Sequence, residues 1–96
     1  MRITEVKIVP GNEGPLSAYV SLTFDDCFVV SEIKLIRDSK GYSVVMPRRK
    51  RANGKYIDIV APLNNKTRQM IEEKVFAAYS VIAEEAVRRR VAKVRQ

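Results

Sequence analysis

Leu16-Ser17-Ala18-Tyr19-Val20-Ser21-Leu22-Thr23-Phe24-Asp25-Asp26 alternates apolar and polar residues for nine positions and then stops at two acids. A period of two puts Leu16, Ala18, Val20, Leu22 and Phe24 on one face. Ser17, Tyr19, Ser21, Thr23 and Asp25 fall on the other. This is the pattern of a half-buried strand with one wet face, placed over residues 17–24. Asp25-Asp26 reads as a hairpin turn. Neighbouring carboxylates in extended chain point to opposite faces, so they do not converge as an acid/base pair.

The flanking segments repeat the strand signal. Residues 2–9 are rich in β-branched side chains and end at the turn segment Pro10-Gly11-Asn12-Glu13-Gly14-Pro15. Residues 28–37 carry apolar side chains on both faces, Val29, Ile33 and Leu35 against Phe28, Val30 and Ile36, which marks a central strand. After Asp38-Ser39-Lys40-Gly41 a fourth strand is expected over 42–46, closed by Pro47, which has no N–H to give a ladder. Asn53-Gly54 is a hairpin signal because both residues tolerate positive φ. A fifth strand over 56–60 ends at Pro62. The expectation is an α+β chain: an antiparallel, meander-like sheet of about five strands followed by a C-terminal helix.

From Asn64-Asn65, a natural N-cap, the period becomes helical. Ile71, Val75, Ala78 and Ile82 form one apolar stripe, suited to packing on the sheet. Phe76, Ala83, Val87 and Val94, with Val91 beside them, form a second stripe well over a quarter-turn away. A helix from residue 65 to 93 would run about 43 Å at ~1.5 Å per residue. A compact 100-residue domain, with a radius of gyration near ~13 Å, is roughly 34 Å across. Two readings follow. Either the helix breaks near Glu84-Glu85 and a basic tail over 86–96 frays, or it overhangs its domain and the second stripe meets a partner, a second copy of the chain first of all.

The chain has 96 residues and a formal net charge of +7. Ten of its 18 basic residues fall in two runs: Arg48, Arg49, Lys50, Arg51 and Lys55, then Arg88, Arg89, Arg90, Lys93 and Arg95. The remainder holds 8 basic and 11 acidic residues, a net charge of −3. Such concentrated charge suits a polyanionic partner, most commonly a nucleic-acid backbone. The plainer reading is a solvated loop and tail. Arg48, Arg49, Lys50 and Arg51 are placed at a hairpin tip, where Arg can fork onto phosphates. Tyr42 and Tyr56 flank them, with sheet packing favoured over base stacking for both. Lys66 and Arg68 sit at the positive end of the helix. Arg88, Arg89, Arg90 and Lys93 line its far end.

Composition narrows the chemistry. With no His and only Cys27, the common general base, the common metal ligand and a standard zinc site are missing, and no Ser or Cys has a base to activate it. No glycine-rich phosphate motif occurs. The expectation is a protein without catalytic residues, metal, cofactor or small-molecule substrate. A lone Cys fits a reducing cytoplasm, and neither a leader nor a run of ~20 apolar residues is seen.

Phe28-Val29-Val30-Ser31-Glu32-Ile33-Lys34-Leu35-Ile36, Val44-Val45-Met46-Pro47-Arg48-Arg49, Gly54-Lys55-Tyr56-Ile57-Asp58-Ile59 and Ala61-Pro62-Leu63-Asn64 occur in this order. Together they resemble the bacterial stage V sporulation protein G family (SpoVG), also called septation regulators. The resemblance runs from Met1 to about Tyr79. It implies a small antiparallel sheet with a C-terminal helix, a dimer formed through strand pairing and helix contacts, and a cytoplasmic regulator of septation, sporulation or gene expression that binds DNA and RNA without catalysis. The family's basic position after Met-Pro matches Arg48 and Arg49. Its helix start matches Asn64, Lys66 and Arg68. The basic residues after Glu85 are no part of the resemblance. The competing class is a protein–protein adaptor in cell division, using Phe76, Ala83, Val87 and Val94 while the basic patches only solvate the chain.

Overall fold

The computed structural model describes residues 1–11 and 13–94, with side chains described through residue 88. Strands β1 (Ile3–Pro10), β2 (Leu16–Phe24), β3 (Phe28–Asp38) and β4 (Gly41–Val45) form an antiparallel sheet in the order β1-β2-β3-β4. Short strands β5 (Arg48–Lys50) and β6 (Tyr56–Asp58) pair only with each other, and helix α1 spans Asn65–Val94. The α+β architecture and the meander agree with the sequence reading. The fifth expected strand does not join the main sheet. It belongs to a separate two-stranded ribbon whose other strand is the basic run itself.

The alternation in β2 sets the core. Ala18, Val20, Leu22 and Phe24 are buried on one face, joined by Ile33 and Leu35 of β3 and Val44 of β4. Helix α1 covers this face with Ile71 and Val75, which are 4% and 0% exposed. Ala78 and Ile82 continue the stripe half-buried. Among the described residues no polar or charged side chain is buried, so the core relies on apolar packing without internal polar networks.

Asp25 and Asp26 have φ of 50° and 55°, the left-handed pair that a type I′ hairpin turn requires. The Cys27 N–H donates to the Phe24 carbonyl at 3.0 Å. The Asp25 carboxylate accepts from the Arg2 N–H at 3.0 Å, tying the turn to the start of β1. The Asp25 carboxylate therefore serves the turn, and the Asp26 N–H adds a bond to Thr4 Oγ1 at 3.0 Å.

In β3 strict alternation fails. Val20 pairs with Ile33 and Leu22 with Val30, so β3 contributes one residue more than β2 between the same two rungs. That is a β-bulge. Its mark is Glu32, held at φ 64°. The bulge rotates the phase of the strand, so that Val30 joins Ile33 and Leu35 in the core while Val29 is 57% exposed. The grouping of Val29 with Ile33 and Leu35 is thus overturned.

Helix α1 opens on Asn64, whose Oδ1 accepts from the Thr67 N–H at 2.8 Å, an N-cap bond. The helix does not break at Glu84-Glu85. Its 30 residues run about 45 Å, and the molecule measures 53 × 33 × 22 Å with a radius of gyration of 15.4 Å. The overhang follows from length alone: from Ala83 through Arg88 every side chain is exposed.

The bulge can be tested by urea denaturation. Val30→Ala should lower the unfolding free energy by about 2 kcal/mol, the loss of two buried methyl-sized groups and the cavity they leave. Val29→Ala should stay within about 0.5 kcal/mol. The opposite ranking would place the phase of β3 where simple alternation puts it.

Candidate functional site

The ribbon is built by a short loop. The Arg51 N–H donates to the Lys55 carbonyl at 2.8 Å and the Gly54 N–H to the Arg51 carbonyl at 2.9 Å. Gly54, at φ 85°, supplies the left-handed residue that closes a three-residue hairpin loop. Asn53 does not share that conformation. Its Oδ1 instead accepts from the Lys55 N–H at 3.0 Å, an Asx-type turn contact. The Asn-Gly signal therefore marks the hairpin, with positive φ taken up by Gly54 and not by Asn53.

Cross-strand pairing assigns the ribbon's two faces. Arg48 lies opposite Asp58, Arg49 opposite Ile57 and Lys50 opposite Tyr56. Residues directly opposite share a face and neighbours along a strand alternate. One face thus carries Arg48, Lys50, Tyr56 and Asp58, and the other Arg49 and Ile57. Arg51 and Lys55 stand at the tip. Arg48, Arg49 and Lys50 are in a strand rather than in a tip loop, so their side chains are aimed by the ladder. All five cations are exposed.

The ribbon leaves the main sheet at Met46-Pro47 and faces the side of the sheet that α1 does not cover. Between them lies a cleft of about 530 Å³. Lys34, Ile36 and Val45 line it from the sheet, and Arg48, Tyr56 and Ile59 from the ribbon side. Glu32, displaced by the bulge, also borders it. The Ile59 N–H donates to the Pro47 carbonyl at 2.8 Å and pins the far end of the ribbon. Arg48 Nε is 3.8 Å from Asp58 Oδ1, and its guanidinium lies over the Tyr56 ring at 6.0 Å from the centroid.

The two tyrosines part company. Tyr42 sits on the helix side of the sheet, 5.6 Å from the Tyr79 ring and under the Arg37 guanidinium at 5.6 Å. That is the packing role expected of it. Tyr56 is 62% exposed and borders the cleft, which departs from the packing expected. Sequence reasoning also passed over Lys34. The signal was available: Lys34 stands between Ile33 and Leu35, so alternation puts it on the face away from the core.

Lys66 and Arg68 are exposed on the first turn of α1, where no acidic residue offsets the positive helix end. Arg68 borders a recess with Met46, and Met46 also borders the cleft. The helix start and the ribbon are therefore neighbours across one buried side chain. Arg88 lies twenty residues beyond Arg68, about 30 Å along the helix. This exceeds the screening length of about 8–10 Å at ordinary salt, so Arg88 forms a separate patch. The side chains of Arg89, Arg90, Lys93 and Val94, and all of Arg95, lie outside the described residues. Of the second stripe, Phe76 is half-buried against the core, while Ala83 and Val87 are exposed. Among the described residues no cluster of acids and Cys could hold a metal ion, and no helix is long and apolar enough to cross a membrane.

The profile of a family described as SpoVG matches residues 1–81. A relative from Bdellovibrio bacteriovorus, named "Putative septation protein SpoVG", is 52% identical over 79 residues, covering 82% of this chain and 73% of that protein. A protein of the same name from Anaeromyxobacter sp. (strain Fw109-5) is 46% identical over 79 residues, covering 82% of this chain and 81% of its own. Another from Caldicellulosiruptor bescii is 42% identical over 83 residues, covering 85% of this chain and 94% of its own. The family span includes the ribbon, the cleft and the helix start. It ends before Ala83, Val87 and Arg88.

The Arg48–Asp58 pair is open to solvent, with side chains 45% and 42% exposed. Asp58→Asn should therefore change stability by less than about 1 kcal/mol. It should also free Arg48 and raise the salt concentration at which the protein leaves a heparin column. Unchanged elution would show that the ribbon does not meet the polyanion.

Proposed function

The chain belongs to the SpoVG family, and from that premise we propose that it is a non-catalytic regulator of bacterial septation, and of sporulation or gene expression where these are linked to it, that binds DNA or RNA along the phosphate backbone. The septation role rests on the name its relatives carry. The nucleic-acid role rests on one observation. Five cations, Arg48, Arg49, Lys50, Arg51 and Lys55, are all exposed on an 11-residue ribbon over 48–58 that holds one acid. Like charges held this close repel unless an anion lies among them, and a phosphodiester backbone offers anions at comparable spacing. Lys66 and Arg68 extend the surface. Contacts of this kind position a nucleic acid without reading its sequence, so specificity should be low.

We place a second copy of the chain on the second half of α1, where Val81 and Val87 are 57% and 59% exposed. The same exposed residues support a second reading, an adaptor that captures a division protein by the helix.

Fluorescence anisotropy against labelled DNA and RNA separates the two. Six phosphate contacts predict a log–log salt slope of about −4 to −5. Replacing Arg48, Arg49, Lys50 and Arg51 with Gln should flatten the slope by about 3 units. Weak, salt-insensitive binding, unchanged in the variant, would favour the adaptor.

A further inference from the structure

Resting on the nucleic-acid reading above, we propose that the cleft between the ribbon and the open face of the sheet receives an unstacked nucleobase with Tyr56 as its stacking platform, which makes single-stranded nucleic acid the preferred ligand.

Three observations carry this beyond phosphate contact. The first is the contrast between the tyrosines. Tyr42 is committed to Tyr79 and Arg37. Tyr56 is outside the core cluster and 62% exposed, with Arg48 over its ring and Lys50 directly across the ribbon. An aromatic ring between cations that can grip the flanking phosphates is the arrangement by which single strands are held. The second is the lining. Ile36, Val45 and Ile59 give the cleft an apolar wall that suits the flat face of a base, while Lys34 and Arg48 border it where the flanking phosphates would lie. Its volume of about 530 Å³ falls within the ~300–1,000 Å³ typical of small-ligand sites. The third is Glu32, a carboxylate bordering the same cleft. It repels phosphate but accepts hydrogen bonds from a base amino group, such as cytosine N4. Thymine and uracil lack that group. In a duplex the bases are stacked and paired, so none offers a free face to Tyr56.

The test uses anisotropy with four labelled DNA probes of equal length: single-stranded oligo-dC, single-stranded oligo-dT, an abasic strand and a duplex. The full chain should bind oligo-dC tightest, oligo-dT less tightly and the abasic strand weakest among the single strands. Tyr56→Leu should weaken oligo-dC binding roughly 5- to 150-fold and leave the abasic strand and duplex unchanged. Tyr56→Phe, which keeps the ring, should retain oligo-dC binding. Glu32→Gln should narrow the dC-over-dT preference. If wild type binds the abasic strand and duplex as tightly as oligo-dC, and Tyr56→Leu alters nothing, the base cleft is refuted while backbone binding stands. An equal loss on all four probes would also refute it, by showing that Tyr56 only supports the ribbon. Binding to none of the probes by wild type would overturn both readings.

Discussion

The burial of Met46 is the constraint on which the functional surface depends. It follows β4 directly, is 6% exposed and precedes Pro47, which has no N–H to extend the main sheet. Its flexible side chain fills an irregular space bordered by the cleft on one side and the helix start on the other. Main-sheet pairing stops here because the backbone cannot continue it, yet the chain remains anchored. A cationic hairpin of three residues per strand would be marginal by itself. Held by Met46 at one end and by the Ile59–Pro47 hydrogen bond at the other, it becomes a fixed arm over the sheet.

The same economy governs the rest of the molecule. One sheet face is buried and the other is open, and only the first half of α1 is needed to cover the buried face. Ile71 and Val75 seal the core, and Tyr79 completes the cover against Tyr42. Beyond Ile82 the helix has no sheet beneath it. The molecule therefore offers two unsatisfied surfaces of different chemistry: a cationic ribbon above a partly apolar cleft, and a helix end where exposed Val87 stands among Glu84, Glu85 and Arg88. The first suits a nucleic-acid strand and the second a protein surface, so the two need not compete.

Much of this was legible in the sequence, because the chain's local signals agree with its fold. The alternation of β2, the Asp25-Asp26 turn, the Asn64 cap and the Ile71/Val75 stripe each appear where period and turn chemistry put them. The failures share a cause. At Glu32 a non-glycine residue adopts a left-handed conformation, and one extra residue in β3 exchanges Val29 for Val30 in the core. No propensity rule marks Glu for that conformation. At Arg48 to Lys50 a run of like charges reads as loop, because β-propensity reflects packing on a half-buried surface. Here the strand has no buried face and is stabilised by its hairpin partner. The open position of Tyr56 depends on where the ribbon is carried after Pro47, a tertiary fact without a local signature. Lys34, in contrast, was readable from alternation alone.

The central claim is that the ribbon and its cleft are the surface that meets nucleic acid. The most direct test is an NMR titration of the unaltered protein with a short single-stranded oligonucleotide, following backbone amide shifts residue by residue. The account predicts that the largest changes fall on Lys34 and across residues 48–56, with smaller ones at Lys66 and Arg68. Changes confined to residues 81–88, with the ribbon unmoved, would contradict it and place binding on the overhanging helix.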